Sequence, residues 1–474
     1  MRFVDLQMCL WQRWSLQIWR QRMSSVFSRD YAKTLPLIVR GQGVYLYDER
    51  GRSYLDAMGS AGVVGIGHGR SEISAALAEQ GDKVTFVYGA AFSHPWQEAL
   101  GRSMLSVASK EMASVYFVSG GSEANETALK LARQYHLERG EPKRHKLISR
   151  WQSYHGVTIA TLSLSGRTSW REPYDPYLLP VTHISPPYQY RCSHCAQKST
   201  CSLDCADELE RAILLEGPET VSAFFAETIV GTTCSGLVPH PDYYAKIREI
   251  CDRYGVLFIA DEVLAGYGRT GRPFAIDDWK VAPDMITAGK AVASGYAPLG
   301  AVLINEKITS FFRENKKRFV HGFTYSGNPT SCFIGQQVFE IMQRENLFAR
   351  AGDIGAYFFG KLKSLATKHP SIGDIRGRGL YVGIEFVSDR QTRKPFDPKS
   401  KFTARLAALM FDMGIVINPG VPGANFGRDG DHIQISPPFT ISESEVDQIV
   451  DALDTSLTRL EDEFFIPQTE TNHD

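Results

Sequence analysis

The chain reads as an α/β protein, with a largely parallel sheet covered by helices on both faces and a smaller domain beside the large one. Three observations point there. At 474 residues the chain is longer than one hydrophobic core usually organises. Between Ser71 and Phe274, helical stretches such as Ser71 to Gln80 and Pro241 to Tyr254 alternate with short apolar runs at Ser114 to Val118, Ala223 to Ala226 and Val256 to Ala260. That alternation is the pattern of strand–helix–strand units. The last of these runs ends on two acids, Asp261 and Glu262, and in open α/β sheets ligands sit outside the carboxyl ends of strands.

In chain order, four regions separate. Residues 1–25 form a leader in which Trp11, Trp14 and Trp19 alternate with Arg13, Arg20 and Arg22, and Asp5 is its only acid. Such a leader fits a mitochondrial targeting segment, an over-extended start ahead of Met23, or a helix packed on a neighbouring copy; the expected compartment is the cytoplasm. Residues 26–70 hold a hairpin, Val44 to Asp48 and Ser53 to Asp56 around the turn Glu49 to Arg52, expected to pack with the C-terminal part. Residues 71–330 form the expected large domain. Residues 331–474 form the small α+β one, with a long helix after Asn328-Pro329, a Gly-rich link from Gly373 to Gly379, a strand from Leu380 to Val387 and an amphipathic helix from Ser442 to Glu463.

A formal net charge of -1 gives no whole-molecule field for nucleic acid or an anionic membrane. Charged residues interrupt every apolar run well before the roughly 20 residues that cross a bilayer. The eight cysteines include a cluster at Cys192, Cys195, Cys201 and Cys205, with His194 inside it. Four close thiols suit a structural zinc site, but the spacing lacks paired knuckles, so free thiols and no metal are expected.

Three segments carry chemistry. Val118 to Glu126, with Gly120, Gly121 and Ser122, follows an apolar run and opens a helix. Its glycines, hydroxyl and free N–H groups suit a phosphate, although a serine N-cap with a tight turn has the same pattern. Asp261 at its strand end suits a protonated ring nitrogen, or a plain helix cap. Lys290, in Thr287-Ala288-Gly289-Lys290-Ala291, sits among small residues with no adjacent acid. A lysine that loses solvent there becomes an amine nucleophile; most lysines are merely surface groups.

Together the phosphate-cradle run, the Asp261-Glu262 strand followed by Gly266-Tyr267-Gly268-Arg269-Thr270-Gly271, and the lysine 29 positions after Asp261 resemble class III aminotransferases that depend on pyridoxal 5′-phosphate (PLP). The resemblance runs from about Leu37 to the C-terminal helix. It implies the fold type I of PLP-dependent transferases, with a mostly parallel seven-stranded sheet. It makes Lys290 the Schiff-base lysine and proton carrier, and places Gly121 and Ser122 on the phosphate. Tyr154 and Val263 fall on the two ring faces, Asp261 on the ring nitrogen, and Glu227 near cofactor and substrate, although relatives usually have Pro where this chain has Thr228.

His321 to Pro329 resembles the segment through which a neighbouring subunit offers a backbone amide, near Phe323, and the Thr324 hydroxyl to the phosphate. A homodimer with shared sites is therefore implied. That segment, with Tyr88, Phe92 and Trp151, is similar to the ω-amino acid and amine:pyruvate subgroup. The implied reaction is a ping-pong transfer from an amine donor to a keto acid, with Arg428 the candidate for the acceptor carboxylate. The same cofactor site also serves racemases, aminomutases and decarboxylases.

Overall fold

The computed structural model describes residues 25–195, 200–420 and 422–465. The Trp- and Arg-rich leader, up to residue 24, lies outside the described residues. Near the start of the described chain, β1 (Ile38–Gln42), β2 (Tyr45–Asp48) and β3 (Ser53–Leu55) make an antiparallel sheet. Leu55 donates its N–H to the Gly414 carbonyl and accepts from Val416 N–H, tying this sheet to the C-terminal part.

The central sheet holds β4 (Met112–Val118), β5 (Lys146–Arg150), β6 (Thr182–Ile184), β7 (Val221–Glu227), β8 (Leu257–Asp261), β9 (Met285–Ala288) and β10 (Gly300–Asn305). Its order is β4-β10-β9-β8-β7-β5-β6, and only β10 runs against its neighbours. The sheet is thus seven-stranded and mostly parallel, the architecture the resemblance implied. β7 and β8 are buried along their whole length. Both faces are covered, which is why these strands are continuous apolar runs rather than alternating ones. Phe224 and Phe258 stack at 6.2 Å in one core cluster, while Phe225 and Ile259 join a second cluster on the other face. Burying such side chains stabilises the fold by roughly 1.5–3 kcal/mol each.

The helices α1 (Ser71–Gly81), α2 (Gly121–Glu138), α3 (Asp204–Glu216) and α4 (Tyr243–Tyr254) flank or precede these strands. α4 starts two residues later than its apolar pattern suggested, after Asp242. The long helix expected after Pro329 is two, α5 (Pro329–Arg344) and α6 (Leu347–Lys368). The break falls at Asn346, whose φ of 49° cannot continue a right-handed helix. A third sheet, β11 (Ile372–Arg378), β12 (Tyr381–Phe386), β13 (Asn418–Pro419) and β14 (Asp431–Ile435), is antiparallel in the order β11-β12-β14-β13. The Gly373 to Gly379 link is therefore mostly strand, held by its ladder to β12 despite its glycines. The chain's last described helix is α7 (Glu443–Phe465). Among the described residues no helix is long and apolar enough to cross a membrane.

Candidate functional site

The parallel register sets Glu227, Asp261 and Thr287 level with one another at the carboxyl ends of β7, β8 and β9. Two residues past β9, Lys290 enters a short turn with φ 45°. Two strands along the sheet order from β9, past the antiparallel β10, β4 ends on Val118 and the chain turns into α2 at Gly121. The three predicted segments thus converge on one edge of the sheet.

Asp261 is the centre of a buried net. Its Oδ2 accepts from Asn125 Nδ2 and from His155 Nδ1, both at 2.8 Å, and its Oδ1 accepts from Val263 N–H at 3.0 Å. Asn125 also donates to the His155 carbonyl and accepts from Thr287 Oγ1 at 2.9 Å. Burial alone would raise the Asp261 pKa, but the His155 hydrogen bond and charge and the other donors outweigh it and hold the carboxyl below its usual value. Its neighbour Glu227 has the opposite balance. Burial dominates and the Asp261 charge adds to it, against the attraction of His155 and the N–H groups of Tyr154 and Gly231, so its carboxyl is pushed up to about 7. Glu262 faces away, accepting from Ala275 and Ile276 N–H, and holds local structure rather than the site.

At Thr228, where the resemblance led to an expectation of Pro, the N–H donates to the Asp261 carbonyl at 3.2 Å. A proline has no N–H to give. Lys290 is half-buried, and loss of solvent lowers its pKa; the Asp261 and Glu227 carboxylates work against this fall and the Arg269 guanidinium adds to it. Among the described residues its amine forms no ion pair, although no acid was adjacent in sequence and two are near in space.

The phosphate-cradle run is capped by Gly120, not by a serine side chain, and Glu123 accepts from Ser119 N–H at 2.8 Å. The Ser122 hydroxyl accepts only a long bond, 3.4 Å, from Val157 N–H. Gly121 is needed for a close approach: a Cβ there would stand 2.6 Å from Val263 Cγ1. The free N–H groups of a helix start, with the Ser122 hydroxyl to spare, fit a phosphate ester, and an ionised Asp261 fits a protonated ring nitrogen.

Tyr154 is half-buried, with Trp170 edge-on at 5.7 Å. Trp151 and Arg428 line one cavity of about 380 Å³ with Thr168, Tyr188 and Phe426. The loop bearing Arg428 is pinned there by Gln152 Nε2 to the Gly423 and Ala424 carbonyls and by Thr168 Oγ1 to the Gly427 carbonyl. Tyr88 and Phe92 do not line that cavity and are exposed, as is Thr324. Phe323 packs edge-on to His321, and its N–H donates to Ser326 Oγ at 3.2 Å. The cysteine cluster brings Cys195 and Cys201 to 3.8 Å between sulfurs, and among the described residues no group of three or more side chains is arranged to hold a metal ion.

Sequence reasoning missed Asn125, His155 and Thr287. Asn125 and Thr287 stood in the quoted motifs and His155 follows Tyr154, but only the fold shows that Asn125 and His155 reach Asp261.

Comparison with known proteins places this geometry. The family model described as aminotransferase class-III matches residues 26–457. Diaminobutyrate–2-oxoglutarate transaminase of Halomonas elongata is 34% identical over 434 residues, covering 90% of this chain and 91% of that protein. Putrescine–pyruvate aminotransferase of Pseudomonas aeruginosa is 34% identical over 417 residues, covering 87% and 88%. A PLP-bound crystal structure of an amine transaminase from an uncultivated Pseudomonas species superposes with a TM-score of 0.85 at 34% identity, covering 93% of this chain and 99% of that one.

Proposed function

This chain belongs to the class III aminotransferases, enzymes that work with PLP, and from that premise we propose that it moves an amino group from an amine or ω-amino acid donor to a keto acid such as pyruvate by a ping-pong mechanism. The observation that carries the reading is the convergence of Lys290, Asp261 and Glu227 at the level ends of β7 to β9. The two relatives named above use different keto acids by their names, 2-oxoglutarate and pyruvate, and a keto acid is common to both.

The start of α2, with Gly121 and Ser122, would hold the cofactor phosphate. Tyr154 and Val263 would flank the ring, and Asp261, fixed by Asn125 and His155, would keep a negative charge for its nitrogen. When bound, PLP supplies the electron sink. Lys290 Nζ, whose pKa burial lowers, takes the proton from the donor's α-carbon and returns one to the product side. Glu227, with a carboxyl near neutrality, orders the Tyr154 and Gly231 amides. Arg428 at the cavity mouth is the mobile cation for an acceptor carboxylate. The exposed Thr324 loop is the part offered to a second copy, making the working unit a homodimer.

Adding a panel of amines to the PLP-loaded protein without acceptor tests this by absorption. The expected result is that particular donors convert the yellow form to the pyridoxamine form and that pyruvate or 2-oxoglutarate restores it. Lys290→Ala should lose at least about 10³-fold of that turnover. A yellow form that no donor discharges would overturn transamination in favour of racemisation, aminomutation or decarboxylation.

A further inference from the structure

We propose that Arg167 receives the carboxylate of an acid substrate, as a specificity-determining residue built into the wall beside Tyr154; the proposal rests on the transamination reading above. Arg167 follows a segment locked against the Tyr154 loop. Gly166 donates its N–H to the Ser153 carbonyl at 3.1 Å and to Ser153 Oγ at 3.0 Å, and its own carbonyl accepts from Gln152 N–H at 3.0 Å. A Cβ on Gly166 would stand 2.3 Å from the Arg150 carbonyl oxygen, so the two segments sit closer together than any residue with a Cβ would allow. The Arg167 guanidinium lies 4.0 Å over the Trp170 ring, and Trp170 in turn meets Tyr154 edge-on.

What sets this arginine apart is that, among the described residues, its guanidinium has neither a counter-charge nor a carbonyl to bond, whereas Arg150 and Arg269, also without an ion pair, give N–H groups to carbonyls. Arg248 pairs with Asp284, and Arg376 with Asp374 and Glu385. Arg144 and Arg171 direct their N–H groups to three carbonyls each. Among the described residues Arg167 forms no ion pair, and its Nε is buried with no hydrogen-bond partner. Burial pushes its pKa down to about 10, with the Tyr154 hydroxyl working against that fall and a second cation, Arg29, adding to it.

Arg167 is half-buried, and a cation whose Nε is shut off from water without a partner is costly unless an anion completes it. The Nε and one Nη of a guanidinium form the edge that takes a carboxylate by two parallel bonds, and here the Nε is the atom left without a partner. Arg167 also lines a small cavity with Gln152, Thr168, Thr233 and Gly427, next to the loop that carries Arg428. The two arginines differ in kind: Arg428 is exposed and Arg167 is held by its packing. A keto acid or amino acid fits Arg167, while an aldehyde or a simple amine leaves it unpaired.

The first readout needs no turnover. Binding of propanoate, a carboxylate that cannot react, is measured by calorimetry on the PLP-loaded protein, its Arg167→Gln and Arg167→Lys variants and Arg428→Ala. The expected result is about 100-fold weaker binding in Arg167→Gln with partial recovery in Arg167→Lys, which also shows that the fold tolerates the position. The second readout is the ratio of kcat/KM for pyruvate to that for butanal, expected to fall by a similar factor in Arg167→Gln. Unchanged propanoate binding in Arg167→Gln, or equal losses for pyruvate and butanal, would overturn the proposal. If propanoate binding falls as expected but no donor is used, Arg167 keeps its role and transamination is what fails.

Discussion

At the floor of the site Asp261, Asn125, His155 and Thr287 are all buried and every side chain among them has a hydrogen-bond partner. The residues proposed for its rim, Tyr88, Trp151, Thr324 and Arg428, are exposed, and among the described residues Arg428 forms no ion pair. A closed net in a low-dielectric floor fixes charge in place and tunes pKa values; an open rim can be completed from outside. The floor is thus fitted to the chemistry every substrate shares. The rim is fitted to what differs between substrates and to what a second copy brings.

The largest effect should come from breaking the floor. Asp261→Asn keeps the shape and removes the charge, and is expected to lower kcat/KM by about 10²–10³ for all donors and acceptors alike, measured by steady-state kinetics across a donor panel. A loss confined to some substrates would erase the distinction between floor and rim. At the rim, the expected result of dilution is a fall in specific activity as the dimer separates, with the size of the species followed by light scattering. Activity that stays constant after the protein is monomeric would show that the rim needs no second copy.

The smallest effect sharpens the comparison from a third place. His369 bridges Glu461 and Asp454 at 2.8 Å each. Burial lowers its pKa, but the two carboxylates outweigh that and the net shift is upward. A raised folded pKa stabilises below the unfolded value near 6.5, and that contribution is lost as pH rises through the folded pKa. His369→Gln should therefore cost more stability at pH 5.5 than at pH 9, by an amount on the order of 1–3 kcal/mol read from the thermal midpoints at the two pH values, while kcat/KM stays within about twofold. Asp261, with its depressed pKa, has the opposite sign: what its charge contributes is present above the unfolded carboxylate value and lost as pH falls through the folded one.

The strands and their order of chemistry were legible because β7 and β8 are uninterrupted apolar runs and because Asp261 sits where the second one stops. Lys290 was legible from its small neighbours. The register that sets Glu227 beside Asp261 was not, since pairing between strands 34 residues apart in sequence leaves no local trace. Asn125 looks like any polar residue in the first turns of a helix until α2 is laid across the sheet. The Gly373 to Gly379 segment read as a link because glycine weakens strands in isolation; β12 supplies the ladder that holds it. Arg167 carried no signal at all, because an unpaired guanidinium is visible only once every possible partner has been placed.

Lys290 itself stands with φ 45°, a backbone region that costs an L-residue with a Cβ about 1–2 kcal/mol. The chain keeps its reactive amine in a conformation that glycine would adopt without strain, so reactivity and durability are opposed at one position. In a lineage released from the need to transfer amino groups, this lysine is where drift toward glycine would be rewarded by a more robust fold.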